Sequence, residues 1–211
     1  MEFLHPFIDL FIHLDDHLEQ IFQQYGTLTY VIVFLIIFCE TGLVFTPFLP
    51  GDSLLFAIGA LCHAGGLDVK IVAALLTFAA IAGDNSNYWI GRMLAPRIFR
   101  HDNIKFFKYE YLERTKKFFN KYGVKAIILA RFAPIIRTFT PFLAGMGAMR
   151  YRKFFVFDVI GGIVWVNSFV WLGYYFGNLP YVEKNFSLVI LGIIVVSLIP
   201  AALEFWKHRT K

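Results

Sequence analysis

Apolar positions in this chain gather into blocks that polar segments separate, and two of the blocks are broken. The unbroken ones cover residues 71–91, 154–177 and 186–206. Each is about 20 residues long, the length that crosses a hydrocarbon core of ~30 Å, so three spanning helices are predicted. A fourth run, 28–39, ends in Glu40 and is followed by Pro47, Pro50 and Gly51. A fifth, 126–149, is interrupted by Arg131, Pro134, Arg137 and Pro141. Two apolar segments broken at corresponding places predict discontinuous, re-entrant hairpins, with Pro47, Pro50, Gly51 and Pro134 at the breaks. Residues 1–25 follow another pattern. Leu4, Phe7, Phe11, Leu14, Leu18, Ile21 and Phe22 recur at helical spacing between Asp9, Asp15, Asp16 and Glu19. That spacing predicts an amphipathic helix lying at a membrane surface. It holds no Lys or Arg and no A-x-A pattern follows, so a signal peptide is not expected.

Composition agrees with this picture. Of 211 residues, 58% are hydrophobic and 17% charged, too apolar for an ordinary soluble domain. Charge then orients the chain. Ten of the 20 Lys and Arg lie between Arg92 and Lys125, three at Arg150, Arg152 and Lys153, and three at Lys207, Arg209 and Lys211. The positive-inside rule puts these segments and the C-terminus in the cytoplasm, with the N-terminal segment outside. The two hairpins then enter from opposite faces, which makes an inverted repeat. The expected fold is an all-α polytopic membrane protein: two opposed re-entrant helical hairpins, each followed by a membrane-spanning helix, with interfacial amphipathic helices and a C-terminal transmembrane helix. Its parts are an interfacial helix at 1–25, a repeat domain at 26–178, and a C-terminal span and basic tail at 179–211. Aromatics interleaved with Lys in 105–119 fit anionic lipid head groups better than nucleic acid between membrane segments.

Four charges sit where such a chain least accommodates them: Glu40, Asp52, Arg131 and Arg137. A charge at bilayer depth costs roughly 2.5–3.5 kcal/mol on insertion scales, so intramembrane charges pair and mark substrate or ion paths. Asp84, beside Asn85, Ser86 and Asn87 within 71–91, is a path-lining candidate together with Asn85. Asp158 lies near the predicted cytoplasmic boundary and is expected to pair with Arg150 or Arg152. Asp52 or Ser53 is a candidate N-cap for the helix that follows. Thr140-Pro141 reads as an N-cap and first helical residue, with Gly145 and Gly147 allowing close backbone approach. Trp89, Trp165 and Trp171 read as packing or interface residues. Cys39 and Cys62 read as inert core thiols, and the six His residues are scattered. Neither a metal-ligand spacing nor a nucleophile–base constellation is evident, so no metal, no cofactor and no enzymatic activity are expected.

The halves resemble each other. Residues 85–91 (NSNYWIG) recur as 167–173 (NSFVWLG), 82 positions on, and Gly59 and Gly145 stand 86 apart. The match of Thr46-Pro47-Phe48-Leu49 with Thr140-Pro141-Phe142-Leu143 has an offset of 94 and reads as coincidence. Over about residues 25–178 the chain resembles the DedA family, whose members carry the VTT domain. The first hairpin signature is Glu40 with Pro47-Phe48-Leu49-Pro50-Gly51-Asp52 and Gly59. The second is Arg131-Phe132-Ala133-Pro134-Ile135-Ile136-Arg137 with Ala144-Gly145, and Gly83-Asp84, Tyr88 and Gly91-Arg92 fit the helix between them. Ala95 departs from the glycine that relatives often have. The resemblance implies opposed re-entrant hairpins in a bacterial inner membrane. It also implies movement of a lipid-linked phosphate, chiefly undecaprenyl phosphate, from the outer to the cytoplasmic leaflet, dependent on proton motive force.

Residue chemistry leaves the site's role open between two readings. Arginine's fork of donors matches phosphate oxygens and stays charged at depth, so Arg131 and Arg137 are candidates to hold the phosphate. The alternative is purely structural pairing with Glu40 and Asp52, although hydrophobic pairs would be as stable. Burial favours a protonated carboxyl and a neighbouring guanidinium favours an ionised one, so Glu40 and Asp52 are candidate proton-coupling groups. The expected partners are a polyprenyl phosphate, protons and anionic lipids, with no nucleic acid. A proton-coupled cation antiporter and a general phospholipid scramblase are the competing functions.

Overall fold

The computed structural model describes residues 25–43, 51–64, 66–100 and 134–177, with the single positions 127, 131, 179, 180, 182, 188, 189, 192 and 193. Among them every regular element is helical: α1 (Leu28–Gly42), α2 (Gly51–His63), α3 (Val69–Arg100), α4 (Pro134–Leu143) with a π-helical turn at Ala144–Ala148, and α5 (Tyr151–Phe176). The expected helix over 1–25, Pro47 and Pro50, the basic stretch beyond Arg100 and most of the C-terminal span lie outside the described residues.

Among the described residues, two helices are long and apolar enough to cross a membrane, 28 residues at Val69–Pro96 and 26 at Tyr151–Phe176. At 1.5 Å per residue each extends about 40 Å, against a core of ~30 Å. Their outward faces carry Ile71, Phe78, Trp89, Ile90 and Met93 on α3 and Phe155, Ile160, Ile163 and Leu172 on α5, all exposed. Apolar surface of that extent suits contact with lipid or with another protein surface. By contrast α1 has 15 residues and α2 has 13. At about 20 Å neither crosses alone.

Local chemistry sets the helix ends. Asp68 caps α3: its Oδ1 accepts the amides of Lys70 (2.8 Å) and Ile71 (3.2 Å), while its own amide donates to the Tyr30 hydroxyl (2.9 Å). At α2 the helix already includes Gly51, so Asp52 and Ser53 stand inside the first turn rather than before it. An acid there still favours the positive end of the helix dipole. The Thr140-Pro141 start is corrected. Pro134 takes the first position of α4 and Pro141 falls inside its last turns. A proline there gives no amide to the carbonyl four residues back, and the helix opens into the π turn directly afterwards. Gly147 ends that turn with φ of 109° and open space around it. Its service is conformational, not the close approach expected of it.

The described residues form two compact units, one from parts of 1–36, 50–77 and 165–211, the other from parts of 37–49 and 78–164. Within the first, Gly59 leaves no space for a Cβ against the Val170 carbonyl and Tyr174 amide, and Gly173 is equally tight on the Phe56 carbonyl. Within the second, Gly145 meets the Tyr88 carbonyl and Arg92 amide, and Gly91 meets the Phe142 carbonyl. The contacts correspond residue for residue: 59 to 145 and 56 to 142 are 86 apart, and 170 to 88, 173 to 91 and 174 to 92 are 82 apart. Those are the two offsets visible in the sequence. Gly59→Ala and Gly145→Ala are each expected to destabilise the fold by about 1–3 kcal/mol through overpacking, read as lowered thermal midpoints in detergent. Equal effects on both sides would match the correspondence.

Candidate functional site: a buried charge cluster

Glu40, Asp84, Arg131, Arg137 and Asp158 are all buried in the second unit, none more than 3% exposed. Five ionisable groups removed from water demand partners, because an unpaired buried charge costs several kcal/mol. Arg137, on α4, donates through Nη2 to Oε1 of Glu40 in the last turn of α1. Arg131, three residues before α4, donates through Nη2 to Asp84 Oδ2 on α3 and Asp158 Oδ1 on α5, both at 2.5 Å, and to the Asp158 carbonyl at 3.2 Å. Gly162 lies beside the guanidinium: a Cβ there would be in ordinary contact with both Nη atoms of Arg131 at 3.6 Å and tighter against Ile81 at 3.1 Å.

The pairing of Arg137 with Glu40 is one the sequence reading weighed. For Asp158 the structure makes a correction: its partner is Arg131, not Arg150 or Arg152. Starting α5 at Tyr151 places Asp158 two turns inside the helix, beyond reach of the boundary. Asp52 lies in the first unit, where its Oδ1 accepts the Trp165 indole at 2.7 Å. Trp165 is fully buried, so its N–H needs such an acceptor, a role the packing assignment missed.

A second ring of polar contacts fixes the cluster. Asn85 Nδ2 donates to the Ile81 carbonyl (2.7 Å) and approaches Asp158 Oδ2 (3.5 Å), and the Tyr151 hydroxyl donates to Asn85 Oδ1 (2.9 Å). Tyr88 stacks on Phe154 with centroids 4.8 Å apart and gives its hydroxyl to the Met149 carbonyl. Asn87 was noted in sequence only as part of a polar patch. Its Nδ2 donates to the carbonyls of Thr41 (3.3 Å) and Thr138 (2.8 Å), the residues that follow Glu40 and Arg137. One amide thus pins both backbones beside the ion pair. Asn87→Asp, which sets a carboxylate against two carbonyl oxygens, is expected to lower stability by about 1–3 kcal/mol, checked by thermal unfolding. Asn87→Gln should lose less.

Some hydrogen-bonding capacity is left over. Arg131 Nε and Nη1, Asp84 Oδ1 and Asn87 Oδ1 are buried with no partner among the described residues. Among the described residues of this unit, three buried carboxyl groups also face two guanidinium groups. No three His, Cys, Asp or Glu side chains converge as a metal site would require, among the described residues.

Comparison with known proteins now bears on what this cluster serves. The VTT domain model matches residues 49–175. Protein DedA of Escherichia coli is 49% identical over 211 residues, covering 99% of this chain and 96% of its own. The inner membrane protein YqjA of Escherichia coli is 31% identical over 187 residues, 85% of each chain. An uncharacterized membrane protein of Mycobacterium leprae is 45% identical over 172 residues, 82% of this chain and 77% of its own. No solved structure matches. With a domain match over more than half its length and a relative similar from end to end, the chain belongs to the DedA family of VTT-domain membrane proteins.

Proposed function

We propose that this protein moves a lipid-linked phosphate, undecaprenyl phosphate above all, from the outer to the cytoplasmic leaflet, coupled to the proton gradient. The observation that carries the reading is Arg131: a fully buried guanidinium with two donor nitrogens unpartnered among the described residues. Structure alone gives no reason to bury those donors, whereas an oxyanion would use them. Arg137 sits in the same unit as a second cation.

In this account the head group takes the free donors of Arg131 and competes with Glu40 for Arg137. Glu40, released, is a buried carboxyl without its cation and takes up a proton. Asp52 is retained as a second coupling acid, held in its own unit by Trp165. Re-entrant insertion of α2 and α4 and duplication of a hairpin-and-span unit belong to the same proposal, and the matching glycine contacts support the duplication. The lipid tail stays in the bilayer throughout.

The excess carboxylate favours a second reading, a proton-coupled cation antiporter in which the arginines only balance charge. Solid-state NMR separates the two at the site. With nitrogen-15 in arginine side chains and a polyprenyl phosphate in the bilayer, guanidinium signals should be dephased by phosphorus. The signals affected should be those that disappear in Arg131→Lys and Arg137→Lys. Dephasing confined to other arginines would remove the site assignment.

A further inference from the structure

Within the second unit, the last turns of α3 and the segment joining α4 to α5 border a cavity of about 450 Å3. Its lining includes Arg92, Ala95, Pro96, Met146, Met149 and Arg150. Carbon and positive charge thus share one space. Both arginines are exposed, and neither has an ion-pair partner among the described residues. Arg92 lies over the Trp89 ring, 5.5 Å from its centroid, which holds the side chain in place without an anion. Two cations beside methionine, alanine and proline suit an anion that carries a hydrocarbon chain.

Depth places the cavity at the membrane boundary. Arg92 is about 35 Å along α3 from Val69 at 1.5 Å per residue, against a core of ~30 Å. Arg150 immediately precedes α5, and the orientation expected from charge makes this the cytoplasmic side. Exposed Trp89 and Met93 continue the apolar surface on α3 beside it. The first unit shows that the packing itself does not require such a cavity. By the offsets of 82 and 86, Tyr174 stands there where Arg92 does, and His63 where Met149 does. Those two rings meet edge to face with centroids 5.1 Å apart. One unit closes the place with aromatic rings, and the other lines it with arginine and methionine.

We infer that this cavity binds an anionic phospholipid of the surrounding leaflet, its phosphodiester held by Arg92 and Arg150 and its first chain carbons against Met146 and Met149. A phosphodiester spreads one charge over two free oxygens, which two guanidinium groups can share. A zwitterionic head group would bring its own cation beside the arginines, and like charges disfavour it. Free phosphate lacks the carbon that the rest of the lining would cover. Arg152 and Lys153, exposed on the next turn, add to the attraction for anionic lipid. The site is separate from the buried cluster and independent of the transport reading. It requires only that α3 and α5 span a membrane, and its lipid would tie the end of α3 to the start of α5.

The test titrates the full chain in detergent with three probes and counts bound molecules by native mass spectrometry. The probes are phosphatidylglycerol, phosphatidylcholine with the same chains, and glycerol 3-phosphate as a head group without chains. Phosphatidylglycerol should bind at least about tenfold more tightly than either of the others. Arg92→Gln with Arg150→Gln should weaken it at least about tenfold, and because both side chains are exposed the fold should survive. Ala95→Phe keeps both arginines and fills the cavity with carbon, so it should weaken binding as well. It also keeps the test decisive if the double variant fails to fold. Arg137→Lys, altered in the buried cluster, should bind phosphatidylglycerol as the wild type does. Wild-type affinity in both cavity variants would place the lipid elsewhere and overturn the inference. Equal binding of glycerol 3-phosphate would make the cavity a free-anion site, and equal binding of phosphatidylcholine would remove the role of charge. Loss of binding in Arg137→Lys would move the lipid to the buried cluster, which also overturns it.

Discussion

Replacing Arg137 with lysine is expected to cut leaflet translocation of a polyprenyl phosphate by at least about tenfold, with membrane insertion unchanged. Lysine preserves the charge that Glu40 needs, so the ion pair and the join between α4 and α1 should survive. What it loses is the planar fork. A hydrogen bond to a charged group contributes about 1.5–3 kcal/mol, and a point-charge ammonium does not present two parallel donors to phosphate oxygens in fixed directions once Glu40 is displaced. One lost bond of that size is a factor of ten or more. Translocation in proteoliposomes, normalised to inserted protein, is the check. Wild-type rates in Arg137→Lys would make Arg137 a charge balancer and favour the antiporter.

The largest effect on stability is expected at Arg131. Arg131→Ala leaves Asp84 and Asp158 buried without their shared cation, and breaking a buried pair costs about 3–5 kcal/mol. Two carboxylates are stranded rather than one, so the upper end is expected. The companion variant separates charge from packing: adding Asp84→Asn and Asp158→Asn to Arg131→Met should restore much of the loss, because a neutral cluster of similar volume has no charge to strand. Thermal unfolding in detergent reads both. If Arg131→Ala unfolds with wild-type stability, the three-way bridge does not hold this unit together. If the triple variant is stable yet inactive, the charges serve function rather than folding.

Sequence reasoning reached the helices because their causes are local. The blocks at 71–91 and 154–177 match α3 and α5 within three residues at three of four ends, α3 running nine residues further to Arg100, and the breaks at Pro134 and Gly51 coincide with helix starts. The register of the glycines was also visible, since a duplicated contact leaves the same offset in both partners. Partners were harder. Asp158 and Arg131 are 27 residues apart, Asp84 and Arg131 are 47 apart, and Asn87 reaches chain segments 46 and 51 residues away. Packing, not spacing, brings such groups together. Asp158 had a usable signal all the same: it lies inside an apolar block, as Asp84 does, and the rule for intramembrane charges covers both. Trp165 had one too, because a buried indole needs an acceptor. Asn87 had none beyond its polarity. Pro141 misled because a proline after threonine has the pattern of a helix start, while the real start was already taken by Pro134.

The most direct test of the account is leaflet translocation of a labelled polyprenyl phosphate in proteoliposomes, with and without an imposed pH gradient. The account predicts movement that the gradient accelerates, that depends on inserted protein, and that falls to the level of empty liposomes in Arg137→Ala. No movement above empty liposomes, together with a pH gradient that collapses when cations are added, would contradict it and make the buried carboxylates ion ligands instead.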